Sequence, residues 1–222
     1  MAGSPILFLF AGPNGSGKST LQAITARHFR PMSGVEFVNA DEIAKKFGGE
    51  DSPERAEKAR FAADARRAEL LKSKISFCSE TVFSHESKIE LIEEAKRSGF
   101  KVYLFIVCVD SPELSELRVG QRVKRGGHQV PRDKIQQRYP RTLKNLEQGI
   151  AIADCSLVFD NSVARAFPRL LLAIEDRKLV YEDGPVPEWA KRLHEIARAA
   201  ASGASNPVAL DELVNAFKRK QR

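Results

Sequence analysis

Five apolar runs punctuate the first 161 residues: "ILFLFA" (6–11), "VEFVNA" (35–40), "KISFCSE" (74–80), "KVYLFIVCVD" (101–110) and "CSLVFDN" (155–161). Each has the length of a buried strand, and each is separated from the next by a stretch long enough for a helix. The alternation predicts parallel strands joined by helical crossovers. The connecting segments carry matching start and stop chemistry: Ser52-Pro53-Glu54 and Ser111-Pro112-Glu113 each offer an N-cap, a proline at the first helical position and an acid favourable to the dipole. Gly99 and the Gly126-Gly127 pair are the expected stops. "LLLAIEDRKLVYEDG" (170–184) reads as an antiparallel hairpin or ribbon at the sheet edge. Beyond Gly184, "PEWAKRLHEIARAAA" and "LDELVNAFKRK" read as two short helices joined by "SGASNP". The expectation is one α/β domain over residues 1–184, built on a mostly parallel five-stranded sheet, with a helical appendage and basic tail over 185–222.

Composition narrows the class without naming a chemistry. Of 222 residues, 42% are hydrophobic and 29% charged, an ordinary globular balance. No apolar run reaches the roughly 18 residues a membrane helix needs, and no basic leader precedes "ILFLFA", so no membrane contact and a cytoplasmic location are expected. Cys78, Cys108 and Cys155 sit beside apolar runs without metal-ligand spacing, as buried free thiols do, and the four histidines are dispersed.

The net charge of +7 is concentrated rather than spread. Residues 118–141 hold eight Lys or Arg against the single acid Asp133, and "KRKQR" at the end adds four more, so the rest of the chain is net acidic. This distribution predicts one local anion site and a solvated tail, and argues against a general nucleic-acid surface.

The chemistry starts at "GPNGSGKST" (12–20), which satisfies G-x-x-x-x-G-K-[ST] with Gly12, Gly17, Lys18 and Ser19. It follows a strand and opens a helix expected to reach about Arg30. The fold expected is therefore the three-layer P-loop NTPase fold. The Pro13-Asn14-Gly15-Ser16-Gly17 loop, through its amides from Asn14 onward, and the helix start at Lys18-Ser19-Thr20 would cradle the phosphates of ATP, Lys18 reaching the β- and γ-phosphates and the Ser19 hydroxyl holding Mg²⁺. A dinucleotide fingerprint fails because Thr20 stands where its third glycine belongs. No N-K-x-D guanine reader and no L-S-G-G-Q transporter signature occur in the chain.

In an open α/β sheet the ligand crevice lies beyond the carboxyl ends of the strands, where Asp41, Glu80 with Thr81, Asp110 and Asp160 with Asn161 fall. Phosphoryl transfer to a hydroxyl needs a carboxylate to accept the proton, and Asp41 is the choice, the alternative being a helix cap. Glu80 would orient the acceptor or, through water, the metal. Arg118, Arg122 and Arg125 recur at helical spacing and are expected to form one lid face over the triphosphate. "GGHQVP" places His128 nearby, and "KIQQRYPRTLKNL" adds Arg138 and Arg141 on a further helix.

Taken in order, "GPNGSGKST", "NADEIA", "FCSETVF", "RVGQRVKRGGHQVP" and "ADCSLVFDNS" resemble the zeta-toxin family of P-loop kinases over roughly residues 5–165. The resemblance implies ATP-dependent phosphorylation of a nucleotide sugar, such as UDP-N-acetylglucosamine, with an antitoxin protein as a possible partner. It implies Lys18 as the loop lysine, Asp41 as the base, Glu80 as the acid contacting substrate and Arg118 or Arg122 as the phosphate-binding arginine. Arg125, His128 and Arg138 compete for the place of a second arginine, with Thr81, His128 and Arg138 on the acceptor side and Asn161 near the base of ATP. The chain is shorter than the toxins that act on UDP-N-acetylglucosamine. A nucleoside or polynucleotide kinase, and a non-catalytic nucleotide-gated binding protein, are the rival readings.

Overall fold

The computed structural model describes residues 3–49, 52–127, 129–164, 166–200 and 210–221. All five apolar runs form strands: β1 (Ile6–Ala11), β2 (Glu36–Val38), β3 (Phe77–Thr81), β4 (Lys101–Cys108) and β5 (Cys155–Asp160). They are parallel, in the order β2-β3-β1-β4-β5. The sheet has seven strands rather than five, because the 170–184 segment adds β6 (Arg169–Glu175) and β7 (Lys178–Glu182), antiparallel, at the β5 edge. Residues buried on both faces explain why the central strands read as continuous apolar runs instead of alternating ones.

The helices are α1 (Lys18–His28), α2 (Ala40–Phe47), α3 (Pro53–Lys72), α4 (Ser87–Arg97), α5 (Pro112–Val123), α6 (Arg132–Ile152), α7 (Lys191–Ala200) and α8 (Asp211–Gln221). Ser52 and Ser111 cap α3 and α5, each accepting an N–H three residues on at 3.2 Å. Two boundaries differ from expectation. A tight turn at Arg30–Met32 follows α1, which ends at His28, and α5 ends at Val123 instead of running to the Gly126-Gly127 pair. Beyond Val123 the amides of Arg125 and Gly127 both return to the Arg122 carbonyl at 3.0 Å, closing a turn that Gly126 completes with φ of 82°.

Two apolar cores sandwich the sheet. On one side Leu7, Leu9, Leu104 and Ile106 pack with Leu70, Ile92, Leu146 and Leu193 from α3, α4, α6 and α7. On the other, Phe8, Phe10 and Phe105 pack with Leu21 of α1 and with Leu213 and Phe217 of α8. Phe10 and Phe105 are register partners on β1 and β4, and their rings stack at 4.5 Å, worth roughly 1 kcal/mol beyond the area they bury. The helices after Gly184 thus lie on the sheet, and Phe217 touches both Phe159 of β5 and Phe167 in the loop leading to β6. Among the described residues no helix is long and apolar enough to cross a membrane.

Candidate functional site

The glycine-rich loop is fixed by close approaches that only glycine allows. A Cβ on Gly12 would lie 1.9 Å from the Val107 carbonyl oxygen of β4, and one on Gly17 would lie 2.5 Å from Asn161 Nδ2. Both have left-handed φ, 151° and 98°. Gly17 is also the N-cap of α1 and supplies no side-chain cap, so the first amides of the helix are left open toward the loop. Asn14 Oδ1 and Ser16 Oγ are buried in the same loop with no hydrogen-bond partner. The open amides of the helix start and the unpartnered Ser16 hydroxyl are donors that fit a phosphate chain.

Lys18 folds back over this cradle and is buried, its Nζ donating to the Pro13 carbonyl at 2.8 Å and lying 4.0 Å from Glu80 Oε1. Burial pushes its ammonium down from the ordinary lysine value; Glu80 opposes the shift, Arg122 adds to it, and Asp41 opposes it more weakly. Ser19 Oγ donates to Glu80 Oε2 at 2.8 Å. The same oxygen accepts from Asn39 Nδ2 at 3.3 Å. Glu80 therefore faces the loop serine and lysine, on the side where a P-loop protein holds its metal.

Asn39 also answers whether Asp41 is a cap. The N-cap of α2 is Asn39, whose Oδ1 accepts the Asp41 N–H at 2.7 Å, and the helix starts at Ala40. The Asp41 carboxylate is exposed on the wall of a cavity of about 630 Å³ that also receives Asn14, Lys18, Glu80 and Arg122. Thr81 lines it too, but its Oγ1 is engaged with the Phe83 amide at 3.0 Å. That contact shapes a turn in which Phe83 holds a φ of 62°, a conformation costing about 1–3 kcal/mol for a non-glycine residue. Asn145 and Thr142 of α6 hold it there by donating to the Phe83 and Val82 carbonyls at 3.0 and 2.9 Å.

The three arginines expected on one lid face are divided by the structure. Arg122 points into the cavity with Asp41, whereas Arg118 and Arg125 line a second cavity of about 880 Å³ on the other side of the loop, with Gly17, Thr20 and Asn161. Gly15 of the loop packs against α5 at Ser115 and Arg118 and borders both cavities, so the loop separates Arg118 from Arg122 one turn on, and Arg125 lies in the turn beyond Val123. Arg118 Nη2 donates to the Ser162 carbonyl at 3.3 Å, and Asn161 Nδ2 donates to the Ser16 carbonyl at 2.8 Å. The 160–162 turn thereby holds both the loop and α5. His128 lies outside the described residues.

Arg138 faces the first cavity together with Arg141 and with Arg60 of α3. Neither Asn39 nor Arg60 was legible as a site residue: "NADE" is an ordinary cap sequence, and Arg60 sits three residues after Glu57 like a solvated helix pair. Arg67, beside them, pairs with Asp64 and donates to Ser79 Oγ at 3.1 Å, and Lys88 lies 3.5 Å from the same Asp64 carboxylate. Cys78, Cys108 and Cys155 are buried and unoxidised, and burial pushes the Cys155 thiol up to about 12, far from reactive range.

A strand, an uncapped glycine loop and a helix opening on a buried lysine, at the crevice end of a parallel sheet, define a P-loop nucleotide-binding protein. Its family follows from comparison: the Zeta toxin family model matches residues 1–168, and the chain belongs to that family. An uncharacterised protein of Haemophilus influenzae is 31% identical over 134 residues, which span 59% of this chain and 89% of that protein. Among solved structures, AvrRxo1-ORF1:-ORF2 with ATP superposes with a TM-score of 0.65 at 18% identity, covering 98% of this chain and 71% of that one. The PezAT toxin-antitoxin system of Streptococcus pneumoniae gives a TM-score of 0.53 at 17% identity, covering 98% and 86%.

Proposed function

We propose that the protein is an ATP- and Mg²⁺-dependent kinase that phosphorylates a hydroxyl of a small molecule. The observation that carries this reading is the meeting in one cavity of the loop lysine, Lys18, with a carboxylate, Asp41, that is not spent on capping its helix. Bound ATP would supply the transferable phosphoryl group, and Mg²⁺ would neutralise part of its charge.

The chain's own residues have separable tasks in this reading. Backbone amides from Asn14 to Lys18 would hold the phosphates, and Lys18, pinned at the Pro13 carbonyl, would present its charge to the β- and γ-phosphates. Ser19 and Glu80 would hold the metal. Asp41 accepts the proton of the acceptor hydroxyl, and Arg122 stabilises negative charge on the group in transfer. Arg118, Arg125 and Asn161 border the side of the loop where the nucleoside of ATP would extend. Family membership makes a nucleotide sugar the first acceptor to try, and PezAT, described as a toxin-antitoxin system, makes an inhibitory partner protein a second element of the proposal.

The test is incubation with γ-labelled ATP and Mg²⁺ against UDP-sugars, nucleosides and oligonucleotides. Label transferred to a small-molecule hydroxyl and lost in Asp41→Asn supports the reading. Transfer to no acceptor, with ATP binding intact, would favour a nucleotide-gated binding protein instead.

A further inference from the structure

We infer that Arg60, Arg138 and Arg141 form an anion subsite of the acceptor pocket, holding a phosphate, diphosphate or carboxylate that the acceptor carries away from its reacting hydroxyl. The inference rests on the kinase reading for the word acceptor, but the subsite itself stands on the geometry of the cavity.

The three guanidiniums come from two elements distant in sequence, α3 and α6, and line the same cavity as Asp41 and Lys18. A solvated helix face would supply each with a carboxylate, and this cavity does not. Among the described residues no carboxylate pairs with Arg138 or Arg141. Arg141 Nε donates to the Gln137 carbonyl of its own helix at 3.0 Å, and Arg60 has an exposed 3.4 Å contact with Glu57 and lies 5.4 Å from the Phe61 ring centroid. Of the three acids of the cavity, Asp64 is engaged with Arg67 and Lys88 and Glu80 with Ser19, and among the described residues Asp41 pairs with none of the three arginines.

Arg138 is half-buried between its two like-charged neighbours. Burial first, then Arg141 and Arg60, push its guanidinium down from the ordinary arginine value. The three cations line one cavity, so a ligand that brings negative charge relieves both the repulsion and the desolvation. Guanidinium forks match the oxygens of phosphate and carboxylate bidentately, which makes the site selective for such groups over a neutral hydroxyl-rich ligand. The donor has its own cations: the arginine that acts on Lys18 is Arg122, and the loop amides take the triphosphate. The charge at Arg60, Arg138 and Arg141 is therefore left for the second substrate.

The experiment uses the full chain with its P-loop saturated by Mg²⁺ and a non-hydrolysable ATP analogue, titrated calorimetrically with inorganic pyrophosphate, UDP and uridine. Pyrophosphate and UDP are expected to bind, and uridine to bind more weakly than UDP by about tenfold or more. Arg138→Gln and Arg141→Gln should each weaken UDP by roughly tenfold, Arg138→Lys should recover part of that loss, and affinity for the analogue should not change. Circular dichroism melts check that each variant is folded. The subsite is rejected if loaded wild-type protein binds neither pyrophosphate nor UDP, if uridine binds as well as UDP, or if the R138Q/R141Q double variant binds UDP like the wild type. Absence of labelled product in the transfer assay would reject the kinase reading alone, because these titrations require no turnover.

Discussion

Ser19 presents its hydroxyl to Glu80, Oγ donating to Oε2 over 2.8 Å, and so links the first turn of α1 to the end of β3. The register of the adjacent parallel strands, with Phe10 opposite Glu80 and Ala11 opposite Thr81, brings the loop and the carboxylate to the same height in the crevice. If this pair holds Mg²⁺, Glu80→Gln should raise the Mg²⁺ concentration needed for full thermal stabilisation by ATP about 10- to 100-fold. Stabilisation by ATP in the absence of Mg²⁺ should be unaltered. An unchanged Mg²⁺ dependence would return Glu80 to the acceptor side.

Asp41→Asn should lower kcat by roughly 100- to 10,000-fold, the usual range for losing a general base. Its melting temperature and ATP affinity should hold, because the cap of α2 is Asn39 and the carboxylate has no capping role. Equal loss of turnover and ATP binding would reject the assignment.

Lys18 predicts opposite pH trends for stability and for binding. Its folded-state value lies below the ordinary 10.5, so between the two values the unfolded chain binds more protons and the stability of the free protein gains with rising pH. Triphosphate binding needs the charged ammonium and should weaken across the same window. Lys18→Met should remove both trends, leave the melting temperature of the free protein no lower, and abolish stabilisation by ATP; thermal scans at several pH values, with and without ATP, read all three.

Arg118 and Arg122 should separate kinetically, since they line different cavities. Arg118→Gln is expected to raise the KM for ATP by roughly tenfold with little change in kcat, the signature of lost uniform binding. Arg122→Gln should instead depress kcat by at least as much. Identical profiles for the two variants would restore the single lid face that helical spacing suggests.

Much of the fold was legible because its signals are local. Apolar runs mark the strands, Ser52-Pro53 and Ser111-Pro112 carry their own capping chemistry, and the glycine loop needs only nine consecutive residues to declare its conformation. Even the hairpin at 170–184 was visible, although its promotion of the sheet from five strands to seven required the β5 edge to accept it. The stop after α5 was legible for the same reason: Gly126 takes a left-handed φ, and the amides of Gly126 and Gly127 return to the Val123 and Arg122 carbonyls.

The sequence alone determined a phosphate-binding loop, a parallel sheet to mount it on and a carboxylate, Asp41, one strand away. Tertiary structure decided what faces what. Ser19 and Glu80, 61 positions apart, meet through strand register, and Arg60 and Arg138, 78 positions apart, come to one cavity through the fold, which no local pattern encodes. Charge carries no direction in a sequence; only the packed sheet and helices assign Arg122 to the loop lysine, Arg118 to the opposite cavity, and Arg60, Arg138 and Arg141 to one another.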